Sequence, residues 1–255
     1  MKTRSMSATT LVPTTLALAL ALAGSALAEE AKPEARALVD AHIAAVGGAE
    51  ALKAQSSGTV TGRFEMPAAG IAGPMTIYAG GPERIRTEIE MTGFGMIRSG
   101  INGEVVWSED PFMGPRILEG EERALQVESV HPDAAVRADS MVASLTTEER
   151  AEYGGQACWK VRVEWRSGRT SHDCYAVDGG LLVATVMTQT SPMGEMTIAS
   201  VLSDYKEFDG VKVATRTTQE VMGQQQVITI ESIELGEPDP SVFEMPAAIQ
   251  ALAGE

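Results

Sequence analysis

Few residues in this chain could do chemistry. There are two cysteines, Cys158 and Cys174, and three histidines, His42, His131 and His172. A thiolate nucleophile needs a positioned base, and a structural zinc needs four ligands at metal spacing. Only His172 and Asp173 stand beside a cysteine, and no fourth ligand has metal spacing. Gly-x-Ser-x-Gly, His-Glu-x-x-His, phosphate-loop and dinucleotide fingerprints are absent. Carboxylates are so plentiful that any acid–base pair drawn from them would lack specificity. The expectation is therefore no catalytic residue, no metal and no cofactor. A hydrolase whose site no motif marks is the alternative.

The cysteines have a simpler use. Gln156–Trp165 and Arg169–Val177 read as two strands joined by Ser167-Gly168, a hairpin that sets Cys158 and Cys174 on neighbouring strands. In an exported chain such a pair is expected to be oxidised. Export is what the N-terminus predicts. Lys2 and Arg4 precede an apolar run, Leu16–Ala23, too short to cross a bilayer, and Ala26-Leu27-Ala28 is a small-x-small cleavage pattern. Cleavage is expected after Ala28, leaving 29–255 as a single periplasmic domain. No cysteine follows the Leu-Ala-Gly stretch, since Ser25 stands there, so no lipid anchor is expected.

Charge narrows the partners. The net charge is −15, from 20 basic and 35 acidic residues, and no Lys/Arg block offsets it. Nucleic acid and anionic membrane surfaces would be repelled. No downstream segment reads as a membrane span, and a monomer is expected.

The elements that must position these residues follow from periodicity. Pro33–Val46 predicts a helix stopped by Gly47-Gly48, with Ala35, Leu38, Val39, His42, Ile43 and Val46 on one face. His42 reads first as a partly buried structural histidine. A short helical turn over Ala49–Ala54 follows. From Gly58 the period switches to two, through Thr59–Met66, Pro74–Ala79, Arg84–Met91, Phe94–Ile101, Glu104–Ser108 and Phe112–Leu118. Asn102-Gly103 is the strongest hairpin signal. Arg84, Arg86, Glu88 and Glu90 read as a solvated strand face. Glu119–Ser129 and Pro132–Ala143 predict two helices that interrupt the sheet, with His131 in the loop between them. Thr147–Tyr153 reads as strand. Six strands then run from Gln156 to Leu235, separated by turn residues. The tail from Glu237 reads as a hook ending near Pro246. The hexapeptide Phe-Glu-Met-Pro-Ala-Ala, at Phe64–Ala69 and Phe243–Ala248, has unmatched flanks and is no repeat unit.

The fold class is therefore α+β, mostly β. It is one curved antiparallel sheet of about ten or eleven strands, because twist accumulates over that many, with helices on its concave face. If Ile85, Ile89 and Met91 face inward, Met75, Ile77, Val105 and Trp107 should join them, with Trp159, Val161, Val163 and Trp165 further along and Leu38 and His42 from the helix. Only 5% of residues are aromatic, too few to fill such a space, so a ligand cavity lined by these side chains is expected. Of the thirteen methionines, Met66, Met75, Met91, Met96, Met187, Met196 and Met222 fall on expected strands, and they fit either ordinary core filling or an adaptable apolar lining.

Several short motifs occur in an order that resembles the bacterial outer-membrane lipoprotein-sorting (LolA/LolB-like) superfamily. They are Val46-Gly47-Gly48-Ala49-Glu50-Ala51-Leu52, Asn102-Gly103 before Val105-Val106-Trp107, Tyr175-Ala176-Val177-Asp178-Gly179-Gly180-Leu181-Leu182, Asp204-Tyr205 leading to Asp209-Gly210-Val211, and Phe243-Glu244-Met245-Pro246. The chain departs from the pattern at Val213-Ala214-Thr215, where relatives often carry proline. The resemblance implies an unclosed half-barrel wrapped around helices. It also implies a non-catalytic carrier or chaperone whose cavity takes lipid or lipoprotein acyl chains. An envelope-assembly protein that uses the same scaffold to bind envelope proteins, without a ligand, is the competing expectation.

Overall fold

The computed structural model describes residues 31–129, 141–191, 194–221 and 223–254. The expected signal segment and cleavage site, His131 and most of the helix expected over Pro132–Ala143 lie outside the described residues.

Two helices open the described chain, α1 (Ala35–Val46) and α2 (Ala49–Ala54). Gly47 separates them at φ 127°, where a Cβ would meet the Gly210 carbonyl at 2.3 Å, so only glycine fits this close approach. A meander of six strands follows: β1 (Ser57–Met66), β2 (Ile71–Gly80), β3 (Arg84–Met91), β4 (Gly95–Asn102), β5 (Val105–Asp110) and β6 (Gly114–Ile117). Helix α3 (Gly120–Ser129) is next. The second meander has seven: β7 (Val142–Tyr153), β8 (Gln156–Trp165), β9 (Thr170–Ala176), β10 (Leu182–Ser191), β11 (Gly194–Phe208), β12 (Val211–Val221) and β13 (Gln224–Leu235).

All thirteen strands belong to one antiparallel sheet, in the order β6-β5-β4-β3-β2-β1-β13-β12-β11-β10-β9-β8-β7. The two meanders are joined at one seam, where β1 pairs with β13. The expected count of ten or eleven is thus too low. Val142–Ala143, expected to end a helix, instead begins strand β7, whose first residue pairs with Trp165.

Register defines two faces, because directly paired residues point the same way. Ile85 pairs with Ile101 and Ala79, and Met75 with Ile89. Across the seam this face continues through Ile228, Thr217 and Leu202, and at the far side through Asp173, Val161 and Trp159. It is the inner face, since α1 packs on it through Ala35 and Val39 against Val161, Tyr175 and Leu182. Leu38 and Ile43 add to that contact, as the helix periodicity predicts. Helix α3 covers the other half of the same face, placing Val127 on a cluster of Ile85, Ile101 and Val106.

Helix α3 also reaches the second meander. Its Glu128 and Glu121 pair with Arg169, in the turn between β8 and β9, at 3.0 and 2.9 Å. A ten-residue helix is about 15 Å long. Flat, β5 and β9 would lie nine spacings apart, about 43 Å. The sheet meets both contacts only by curling around α3.

The tail departs from the expected hook. A 3-10 turn at Pro240–Phe243 is followed by a helix, α4 (Ala247–Ala253), on the outer face. There Met245 and Ile249 pack with Trp107, flanked by Val105 and Ile117. Arg86 donates to the carbonyls of Val242 and Glu244 at 3.1 and 3.0 Å and pairs with Glu88 at 2.6 Å. The row read as solvated is therefore partly buried, because the returning C-terminus covers it.

Cys158 and Cys174 form a disulfide on the outer face with Cα atoms 5.5 Å apart, and both are buried. The bridge closes a loop of 16 residues, for which chain entropy gives about 3 kcal/mol. Thiol titration of unreduced protein should find none. The double variant Cys158→Ala/Cys174→Ala should lose about 3 kcal/mol in urea unfolding; an unchanged midpoint would refute this.

Candidate functional site

Two adjoining cavities open on the inner face. The first, about 340 Å³, lies between α3 and strands β8–β13. Leu125, Glu128 and Ser129 of α3 form one wall. The floor alternates by row. One row carries Ser171, Met187 and Ile198, the next Asp173, Thr185, Ser200 and Gln219, and the third Leu202, Thr217 and Ile228. The second cavity, about 350 Å³, lies under α1 and α2, lined by His42, Val46 and Leu52 with Tyr205, Val211 and Val213 from the sheet. Leu202 and Thr217 line both, so the two spaces share a wall.

The thirteen residues expected to line a cavity divide three ways. Met75, Ile77, Ile85, Ile89 and Met91 share the inner face of β2 and β3. Trp159, Val161, Val163 and Trp165 share that of β8. Val161 and Val163 are fully buried, sealed beneath other side chains. Val105 and Trp107 are corrected: Trp107 pairs with Gly100, on the face of Arg86 and Asn102, opposite to Ile85. The apolar pattern of Val105-Val106-Trp107 runs on both faces, and α4, missed in the sequence, buries the outer side. Leu38 lies on α1 against the first core cluster. The two cavities take Trp165 and His42 from the thirteen.

Most of the lining was missed, for a reason visible in the residues. Alternation identifies an inner face when apolar and polar residues take turns, but β12 reads Thr215, Arg216, Thr217, Thr218, Gln219 and Glu220, polar on both faces. Met187, one of the strand methionines weighed as lining, was the available signal.

The histidines have structural partners. His42 is buried, and its Nδ1 lies 3.2 Å from the Leu182 nitrogen, whose N–H points at it, and 3.3 Å from the Gly180 carbonyl oxygen. Its ring also lies 5.5 Å from that of Tyr175. His172 sits on the outer face, its Nε2 3.2 Å from Glu148. Burial, with Lys160 beside it, holds the His172 imidazole below its ordinary range against the opposing pull of Glu148. Among the described residues no three His, Cys, Asp or Glu side chains are placed to hold a metal, and no helix is long and apolar enough to cross a membrane.

Solved structures share this fold. A LolA superfamily protein from Nitrosomonas europaea aligns with a TM-score of 0.56 at 13% identity, covering 84% of this chain and 98% of its own. A DUF1329 family protein from Desulfovibrio piger gives 0.52 at 11% identity, covering 85% and 99%. A domain from Vibrio parahaemolyticus, named for outer-membrane lipoprotein sorting, gives 0.51 at 7% identity, covering 82% and 95%. No protein-family model and no curated protein matches the sequence. The fold implied by the motif order is the fold observed.

Two outcomes follow. His42→Leu keeps the volume but leaves the buried Leu182 N–H unpaired, and should cost about 1–3 kcal/mol in urea unfolding. For His172, the folded state binds a proton less readily than the unfolded chain. Its contribution is full above the unfolded imidazole value of about 6.5 and is lost as pH falls from there through the folded value. His172→Gln should flatten that acid-side decline, read as the stability difference between about pH 7.5 and about pH 5.5. An identical decline in the variant would refute it.

Proposed function

We propose that this protein is a non-catalytic carrier of the bacterial periplasm that takes the apolar chains of a lipid or lipoprotein into the space beneath α3 and α1. The observation that carries the reading is the pair of adjoining cavities between the inner sheet face and its helices, about 340 and 350 Å³. Their walls bring together Leu125, Met187, Ile198, Leu202 and Ile228 in one and Val46, Leu52, Val211 and Val213 in the other. Removing acyl surface from water at about 25 cal/mol per Å² drives such uptake with no chemical step. The lipoprotein-sorting fold supports the same ligand class. The groups a hydrolase would need are divided: Ser171, Ser200 and Asp173 line one cavity and His42 the other.

Uptake needs a way in. α3 is held over the first cavity by ion pairs at one end of the sheet and by Val127 at the other, and none of its residues is fully buried. Separating it would expose little apolar surface, and what it must give up is the pairing of Glu128 and Glu121 with Arg169. The alternative in which the cavity belongs to an envelope-protein partner predicts no co-purifying lipid.

Leu202 borders both cavities, so Leu202→Asp places a carboxylate in each wall. It should weaken binding of an apolar fluorophore such as N-phenyl-1-naphthylamine at least about tenfold, because an unpaired carboxylate in an apolar space is costly. Glu220→Lys, exposed on the outer face, should change it little. Native mass spectrometry of protein purified from its own envelope should find a bound lipid. Equal effects of the two variants in folded protein, or no lipid and no fluorophore binding, would refute the reading.

A further inference from the structure

The floor of the first cavity is not uniformly apolar. Asp173 pairs in register with Thr185, Thr185 with Ser200, Ser200 with Gln219, and Gln219 with Gln226 beyond the cavity. These side chains lie at one level across neighbouring strands and point inward. At about 4.8 Å per strand, the four that line the cavity span about 14 Å. The rows on either side are mainly apolar, Met187 and Ile198 with Ser171 on one and Leu202 and Ile228 with Thr217 on the other.

The row is wired as a hydrogen-bonding surface. Ser200 Oγ donates to Gln219 Oε1 at 2.9 Å, and Gln219 Nε2 donates to Gln226 Oε1 at 2.9 Å. The buried Asp173 accepts from the Tyr175 hydroxyl at 3.1 Å. These bonds orient the groups, and those of Ser200 and Gln219 leave donors and acceptors to spare. A serine hydroxyl that donates keeps two acceptor lone pairs, an amide carries two donors, and a carboxylate accepts several bonds. A floor serving only methylene chains would be served best by aliphatic residues here, since each polar group facing an apolar ligand loses its water without replacement.

Charge sets which head group the row can take. Among the described residues Arg169 is the one cation of this lining, and it is already engaged by Glu128 and Glu121. Glu128 and Asp173 leave the lining with two carboxylates against one guanidinium. A carboxylate or phosphate head would meet net like charge in a space of reduced dielectric.

We propose that Asp173, Thr185, Ser200 and Gln219 form a head-group subsite, and that the ligand is a neutral amphiphile bearing hydroxyl or amide groups, its chains lying along the flanking apolar rows. This rests on the carrier reading above and adds to it the chemistry of the head.

The test compares two ligands with one chain, 1-monopalmitoylglycerol and palmitate at a pH where palmitate is ionised, each displacing N-phenyl-1-naphthylamine. The glycerol ester should bind at least about tenfold more tightly, the equivalent of one or two well-made hydrogen bonds. Gln219→Leu and Ser200→Ala should each lower the ester-to-palmitate affinity ratio several-fold, whatever either does to the fluorophore. Asp173→Asn should raise palmitate affinity and narrow the gap. Should that buried variant fail to fold, the half-buried Gln219 decides the matter. A palmitate affinity equal to or above that of the ester, or an ester-to-palmitate ratio unchanged in folded Gln219→Leu, overturns the subsite. If the fluorophore still binds and Leu202→Asp still abolishes it, the carrier reading survives that result. If neither fluorophore nor either lipid binds, the carrier reading falls and the subsite with it.

Discussion

A ten-residue helix that touches both halves of a thirteen-stranded sheet sets the shape of this molecule. Helix α3 places Val127 on the Ile85–Ile101–Val106 cluster of one meander and its two glutamates on Arg169 of the other. Arg169 and Glu128 have side chains only 8% and 9% exposed, so this pair is far less screened than the chain's surface ion pairs. Removing one partner would leave the other uncompensated, which makes the contact a determinant of position more than a net source of stability. With adjacent residues of one short helix, Val127 and Glu128, held by opposite halves of the sheet, the sheet has to curl.

Local backbone features make the curl possible. The seam between β1 and β13 carries a register shift between Thr61 and Gly62. A Cβ at Gly62 would meet the Thr229 carbonyl at 2.1 Å, so the strands there approach more closely than a side chain permits. The seam also joins the first strand to the last, and sequence-distant pairing of that kind carries the loop-closure entropy of most of the chain. Arg86 strengthens the closure from outside by holding the carbonyls of Val242 and Glu244, which seats α4 over Trp107.

The cavities are a consequence of that geometry combined with composition. A curled sheet encloses more volume than two short helices and α3 can fill, and two of the large aromatics are placed elsewhere. Trp107 is turned outward under α4, and Tyr175 is buried against α1. Of the seven side chains that face the first cavity from β10–β12, four are short or flexible: Thr185, Met187, Ser200 and Thr217. Close packing cannot be completed with such residues, and the space remains. The same row of small polar groups gives the enclosure a chemical polarity that a purely aliphatic wall would lack.

The sequence by itself determined the local order of this protein. The 3.6-residue period of Ala35–Val46, the two-residue period of the strands, and the glycine and asparagine turns each act over a few residues, and each element they specify is present. The cysteine pair was legible for the same reason, because hairpin register is a local property. The tertiary structure alone decided the seam between β1 and β13, the face on which Trp107 lies, the helix formed by the tail, and the side chains that line the cavities. These depend on contacts between residues more than a hundred positions apart, such as Arg86 with Val242 and His42 with Leu182. On β12, where both faces are polar, only the partner strands decide which side chains point inward, since no hydrophobic difference exists to orient them.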